Sequence, residues 1–180
     1  RTGILLSAVN RSANVVGLGL IGGSVASGLA ARGWTVHGID LDPTVTAEAR
    51  SLGVILDDEL DPSAVVTVVA TPVSRIAGEV QSLLATVSGV VKDVGSVKSH
   101  MIEEINDSRF IGGHPMAGSE LSGLAGVDPD LFVGAAWVLT PHQQTSDSTF
   151  ETVASMARDL GAEIVVLDPS RHDEVVALVS

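Results

Sequence analysis

The sequence predicts a doubly wound α/β domain built on a mainly parallel sheet. Short runs rich in valine and isoleucine alternate with segments whose apolar residues recur every three or four positions, the patterns of strands and helices respectively. Three helical segments separate the first four strand runs, and parallel neighbours require crossovers of that kind, which are right-handed in nearly all cases. The first strand run also hands over to its helix through four glycines within seven residues, Gly17, Gly19, Gly22 and Gly23.

In chain order, the first strand is expected over residues 14–17, where Val15 and Val16 favour extended backbone. A helix over 21–32 follows, then a strand over 35–40 ("TVHGID"), a helix over 43–52 and a strand over 65–70 ("VVTVVA"). A helix over 73–84 and a strand over 90–94 ("VVKDV") complete the regular alternation, and three further strands are expected over 109–112, 136–139 and 163–167. The polar stretch "PHQQTSDS", 141–148, reads as a surface connection leading into a helix. There is no internal repeat, low-complexity tract or obvious linker.

A chain of 180 residues suffices for one domain with a sizeable core. Its hydrophobic content of 45%, charged content of 18% and mean hydropathy of +0.39 make it more apolar than a typical soluble domain, as expected of a chain that meets a partner surface. No apolar run approaches the roughly 20 residues of a membrane span, and "GILLSAV" near the start is too short and too poorly flanked for a secretory signal. The expected location is the cytoplasm, with no membrane partner. The absence of cysteine excludes disulfides, cysteine-ligated zinc, iron–sulfur clusters and thiol catalysis. A net charge of -12 argues against non-specific nucleic-acid binding, which needs clustered Lys and Arg. An anionic ligand must therefore be held by local dipoles or a few placed cations.

The glycines have a physical reading as G-x-G-x-x-G between strand and helix. Gly17 permits the tight turn, Gly19 lets backbone approach a pyrophosphate, and Gly22 lets helix pack closely on strand. Phosphate then sits at the helix N-terminus, where free N–H groups and the dipole favour negative charge. Asp40 closes the second strand 23 positions after Gly17, close to the roughly 20-residue offset of the acidic residue that binds a ribose hydroxyl. The domain is therefore expected to be Rossmann-type and to bind a dinucleotide. NAD is favoured over NADP, because Asp40 would repel a 2′-phosphate and no Arg follows until Arg50.

Other strand ends should face the same crevice, since ligands of open α/β sheets bind beyond the carboxyl ends of the strands. Thr71-Pro72 follows the third strand and Gly95-Ser96-Val97-Lys98 the fourth; Thr71 and Ser96 are also natural helix caps. In "FIGGHPMAGSE", 110–120, His114 precedes Pro115, which restricts the histidine to extended or turn backbone and presents it on a loop after the strand. Its imidazole could accept the proton of a substrate hydroxyl as hydride leaves the adjoining carbon. His37, within a strand, and His100, at a helix start, lack that placement, and His142 lies in the polar loop.

Taken together, "GLGLIGGS", Asp40, "ATP" at 70–72, "DVGSVK" at 93–98, "GGHPMAGSE" at 112–120 and "HDEVVALVS" at 172–180 resemble the nucleotide-binding half of the prephenate and arogenate dehydrogenases. The resemblance extends from about Asn14 to the last residue. It implies NAD(P)-dependent oxidative decarboxylation of prephenate to 4-hydroxyphenylpyruvate in tyrosine biosynthesis, or of arogenate directly to tyrosine. It implies that His114 hydrogen-bonds the ring hydroxyl, that Ser96 helps orient it, and that Glu120 is an acidic residue at the mouth of the site. Gly17, Gly19, Leu20, Ile21, Gly22, Ser24, Asp40, Thr71 and Pro72 are the expected cofactor-binding residues, Ser96 and His114 the catalytic ones, and Ser96, His114 and Glu120 those that touch substrate. No metal is needed.

The family continues into a C-terminal helical domain that dimerises, closes the site and brings an arginine to the substrate carboxylate. Residues 1–168 are accordingly expected to form the dinucleotide-binding domain and 169–180 the start of a helix leading into a helical dimerisation domain absent from these 180 residues. His172 and Asp173 match the entry into that domain. The lack of any Lys or Arg between Phe110 and Ala157 fits this division, with Lys98 the cation expected nearest the strand ends. The isolated chain is expected to bind NAD and turn over substrate poorly. Two other readings stand beside this one. Another dehydrogenase on the same scaffold would share the glycines and Asp40, and a non-catalytic NAD-binding module would need neither Ser96 nor His114.

Overall fold

The computed structural model describes residues 11–96, 105–118 and 123–168. Its seven-stranded sheet comprises β1 (Ser12–Val16), β2 (Thr35–Ile39), β3 (Val66–Val69), β4 (Val90–Asp93), β5 (Phe110–Pro115), β6 (Ala136–Thr140) and β7 (Glu163–Val166), in the spatial order β2-β1-β3-β4-β5-β6-β7. Neighbours from β2 to β5 run parallel, β6 lies antiparallel to β5, and β7 is parallel to β6. The doubly wound, mainly parallel sheet expected from the sequence is therefore present.

Four α-helices cover the sheet among the described residues: α1 (Leu20–Ala31), α2 (Pro43–Ser51), α3 (Val73–Leu84) and α4 (Asp147–Asp159). Local chemistry sets their starts. Asp42 caps α2 by accepting the Thr44 N–H at 2.8 Å, with Pro43 at the first helical position, where its missing N–H costs nothing. Ser146 caps α4 by accepting the Thr149 N–H at 3.1 Å, so the polar stretch after β6 does end in a helix.

Side-chain alternation along the strands divides the interior. Val69, Val91 and Phe110 pack with Ile76, Val80 and Leu83 of α3 on one face. Val15, Val68, Ile111, Trp137 and Leu139 pack on the other with Val25 and Leu29 of α1 and Val153 and Met156 of α4. Because both faces are covered, β3 is buried at every position, and its one polar residue, Thr67, accepts from Asn14 Nδ2 at 3.1 Å.

One boundary differs from expectation in a way that bears on function. The fifth strand extends to Pro115, with Gly112, Gly113, His114 and Pro115 opposite Thr140, Leu139, Val138 and Trp137 of β6. His114 thus sits in a paired strand, not on the loop after it. The extended backbone that Pro115 imposes on its neighbour is also the backbone a ladder requires. No helix among the described residues is long and apolar enough to cross a membrane.

Candidate functional site

The turn from β1 into α1 is built from the glycines in three different ways. Gly17 has φ +89°, and a Cβ there would lie 2.7 Å from the Ala70 carbonyl oxygen. At Gly22 a Cβ would lie 1.8 Å from the Gly17 carbonyl oxygen, so the first turn of the helix lies directly on the loop. A Cβ at Gly19 would meet nothing within 4 Å, leaving an open cradle. Gly19 caps α1 without a side-chain hydrogen bond, and the first turn holds no acidic residue. The first intrahelical bond runs from the Gly23 N–H to the Gly19 carbonyl at 2.7 Å. The N–H groups of Leu20, Ile21 and Gly22 precede it and have no partner within the helix. Ser24 is fully buried, and its hydroxyl accepts the Asp128 N–H at 3.1 Å, which ties α1 to the loop before β6 and not to the cradle.

Asp40 stands immediately beyond β2, half-buried. Its Oδ2 accepts the Leu18 N–H at 2.7 Å and its Oδ1 the Asp42 N–H at 3.0 Å. The carboxylate is therefore pinned between the glycine loop and the entry to α2, and it caps the following turn while lining a cleft of about 820 Å³. Gly17, Gly19, Asp40, Leu41, Ala70, Thr71 and Pro72 line this cleft, whose far wall is one face of α3. On that wall Arg75 pairs with Glu79 at 2.8 Å, and the Thr71 hydroxyl donates to the other oxygen of Glu79. Thr71 is thus bonded to a side chain two turns along rather than to a first-turn N–H, and Pro72 takes the cap position.

At the end of β4, Lys92 and Asp93 are both fully buried, on opposite faces of the sheet. The Asp93 carboxylate accepts the N–H of Gly95 at 2.8 Å and of Gly113 at 3.3 Å, linking the ends of β4 and β5 beside half-buried His114. Ser96, three residues beyond β4, is exposed. The Lys92 ammonium lies 4.2 Å from the Trp137 ring centroid, a close cation–π contact. Local sequence pattern by itself gives neither Asp93 nor Lys92 a role. A lysine and an aspartate within an otherwise apolar central strand were the available signal, since charged side chains are rarely buried without partners.

Not every expected residue can be located. Glu120, Lys98, His100, His172 and Asp173 lie outside the described residues. His37 is engaged with Asp57, its Nδ1 2.8 Å from Oδ1, and this hydrogen bond holds the Asp57 carboxyl below the usual carboxylate range. It has no part in the cleft. No group of three or more metal-ligating side chains occurs among the described residues.

The glycine cradle, uncapped helix start, strand-end carboxylate and long cleft fit a bound dinucleotide. Fold and site together define a Rossmann-type nucleotide-binding domain. The family model described as "Prephenate dehydrogenase, nucleotide-binding domain" matches residues 25–166, and the chain belongs to that family.

A prephenate dehydrogenase of Bacillus subtilis is 35% identical over 92% of this chain and 49% of its own length. The crystal structure of Synechocystis arogenate dehydrogenase matches with a TM-score of 0.87 at 32% identity, covering 94% of this chain and 64% of that one. The structure of prephenate dehydrogenase from Aquifex aeolicus in complex with hydroxyphenyl propionate and NAD+ matches with a TM-score of 0.88 at 30% identity, covering 97% and 65%. The chain spans about half the length of the curated prephenate dehydrogenases of B. subtilis and Lactococcus lactis that it matches, 49% of each.

Proposed function

We propose that this chain is the NAD-binding part of an enzyme that oxidatively decarboxylates prephenate to 4-hydroxyphenylpyruvate, with arogenate as the alternative substrate. The observation that carries the reading is the alignment of parallel strand ends. The carboxyl ends of β1, β3, β4 and β5 lie side by side on one edge of the sheet and bear, in spatial order, the glycine loop, Thr71-Pro72, the loop to Ser96, and His114. Family membership and the neighbour solved with NAD+ and hydroxyphenyl propionate support it.

Bound NAD would supply the hydride acceptor. Gly17, Gly19 and the first-turn N–H groups of Leu20, Ile21 and Gly22 would hold its pyrophosphate, and Asp40 a ribose hydroxyl. His114 accepts the hydroxyl proton as hydride leaves the carbon that bears it, which yields a ring ketone. Breakage of the bond to the ring carboxylate then releases carbon dioxide, the electron pair aromatises the ring, and the oxygen recovers a proton. Ser96 orients the same hydroxyl. Asp40 makes NAD the favoured cofactor over NADP, and two copies of the whole protein would associate through helical sequence outside the sheet.

The test is spectrophotometric NADH formation from prephenate and from arogenate, in parallel with calorimetric NAD binding, for the native protein and His114→Asn. One substrate should be oxidised, with the variant slower by about 10²–10⁴-fold while NAD affinity persists. NAD binding without oxidation of either substrate would refute the assigned chemistry.

A further inference from the structure

Asp40 shares each of two grooves with one arginine, and each arginine is committed to a carboxylate of this chain. On the α3 wall, Arg75 donates from Nε to Glu79 Oε1 at 3.0 Å, with its Nη2 2.8 Å from the same oxygen. The Thr71 hydroxyl engages the other Glu79 oxygen, so that carboxylate is fixed at both ends. On the α2 side, a second groove of about 540 Å³ shares Ile39 and Asp40 with the nucleotide cleft and reaches Arg50, whose Nη1 lies 3.6 Å from Asp58. Arg50 and Arg75 are the basic residues lining these two grooves among the described residues.

A 2′-phosphate on the ribose held at Asp40 would bring about two further negative charges to this junction. Proteins that accept such a group offer it an arginine, whose planar fork matches phosphate oxygens. Here the guanidinium groups line the two grooves that share Asp40 but are paired with carboxylates, and those carboxylates add to the negative charge of Asp40. We propose that Glu79 and Asp58 are specificity determinants that exclude a 2′-phosphorylated dinucleotide by occupying Arg75 and Arg50. Glu79 carries the larger share. Its side chain is 20% exposed and doubly bonded, whereas the Arg50–Asp58 pair is more than half exposed on both sides and screened by solvent. The inference rests on the reading of the cleft as an NAD site.

The experiment is calorimetric titration of NAD+ and NADP+ into the full chain and into Glu79→Gln, Asp58→Asn and the double variant Glu79→Gln/Arg75→Ala. Glutamine keeps an acceptor for the Thr71 hydroxyl, and Asp58 is exposed, so neither substitution leaves a buried donor unpaired. The ratio of NADP+ to NAD+ affinity should rise about fivefold in Glu79→Gln and about twofold in Asp58→Asn, the range of single exposed ion pairs. It should return to the native ratio when Arg75 is also removed, and the gains should shrink at high salt. NAD+ binding with an unmoved ratio in both single variants, or a gain that survives loss of Arg75, overturns the inference alone. A native chain that binds neither dinucleotide overturns the reading of the cleft and this inference with it.

Discussion

The Gly113 N–H donates to Asp93 Oδ1 at 3.3 Å, so a buried carboxylate at the end of β4 holds the backbone one residue before His114. The same carboxylate accepts the Gly95 N–H at 2.8 Å on the way to Ser96. Both segments assigned to the substrate are therefore referred to one side chain. Asp93→Ala should remove both hydrogen bonds that the buried carboxylate accepts and destabilise the domain by about 2–3 kcal/mol. Urea unfolding measures this, and an unchanged midpoint would show that the carboxylate is dispensable.

The glycines of the α1 entry separate ligand space from packing. Gly19→Ala adds a methyl where there is open space, so the midpoint of unfolding should move little, by about 0.5 kcal/mol or less. Dinucleotide affinity should fall at least about tenfold, because the methyl would intrude on the pyrophosphate position proposed at Gly19. In Gly22→Ala the methyl would overlap the Gly17 carbonyl, and stability should fall as well, by about 1–3 kcal/mol. Thermal unfolding and calorimetric titration of the two variants check the contrast.

Trp137, the second residue of β6, is fully buried, its ring centroid 5.0 Å from that of Phe132 and 4.2 Å from the Lys92 ammonium. Trp137→Ala removes both contacts and opens a cavity at the sheet face shared with α1 and α4. The expected cost is about 3–5 kcal/mol. Equilibrium denaturation reads it directly, and a cost below about 1 kcal/mol would mean that the face refills.

Acid should destabilise the domain through particular carboxyls. The Asp57 carboxyl is lowered chiefly by its hydrogen bond with His37, and that of Asp107 by its hydrogen bond with Arg109. A carboxyl lowered on folding contributes stability that is complete above its unfolded value, about 3.9, and is lost as pH falls through the folded value. Stability should therefore decline below about pH 4. In Asp57→Asn and Asp107→Asn that decline should be shallower, as measured by urea midpoints across the acid range.

Arg109 donates to the carbonyls of Leu84 at 2.7 Å and Val87 at 2.8 Å, closing the C-terminal end of α3 from the start of β5. Arg109→Ala should cost about 1–3 kcal/mol and loosen that end of the helix first. Hydrogen exchange at the last turn of α3 is the readout. Uniform protection there would rule out a local role.

The sheet alternation, the glycine entry to α1 and the carboxylate closing β2 were all legible in the sequence, because each depends on residues within a few positions of one another. Val15 and Val16 favour extended chain, Gly17 permits its turn, and Asp40 ends a β-branched run whatever lies elsewhere. The family was legible as well, through "DVGSVK" and "GGHPMAGSE".

Tertiary structure decided the rest. His114 lies in a strand because β6 arrives antiparallel from more than twenty residues away to pair with Gly112–Pro115. Asp93 acquires a role only when Gly113 is laid beside it, and Lys92 is shielded only once Trp137 packs under the sheet. Periodicity reports which face of an element is apolar. Which polar group another element brings to that face depends on strand order and register, and those are set by packing across the whole sheet.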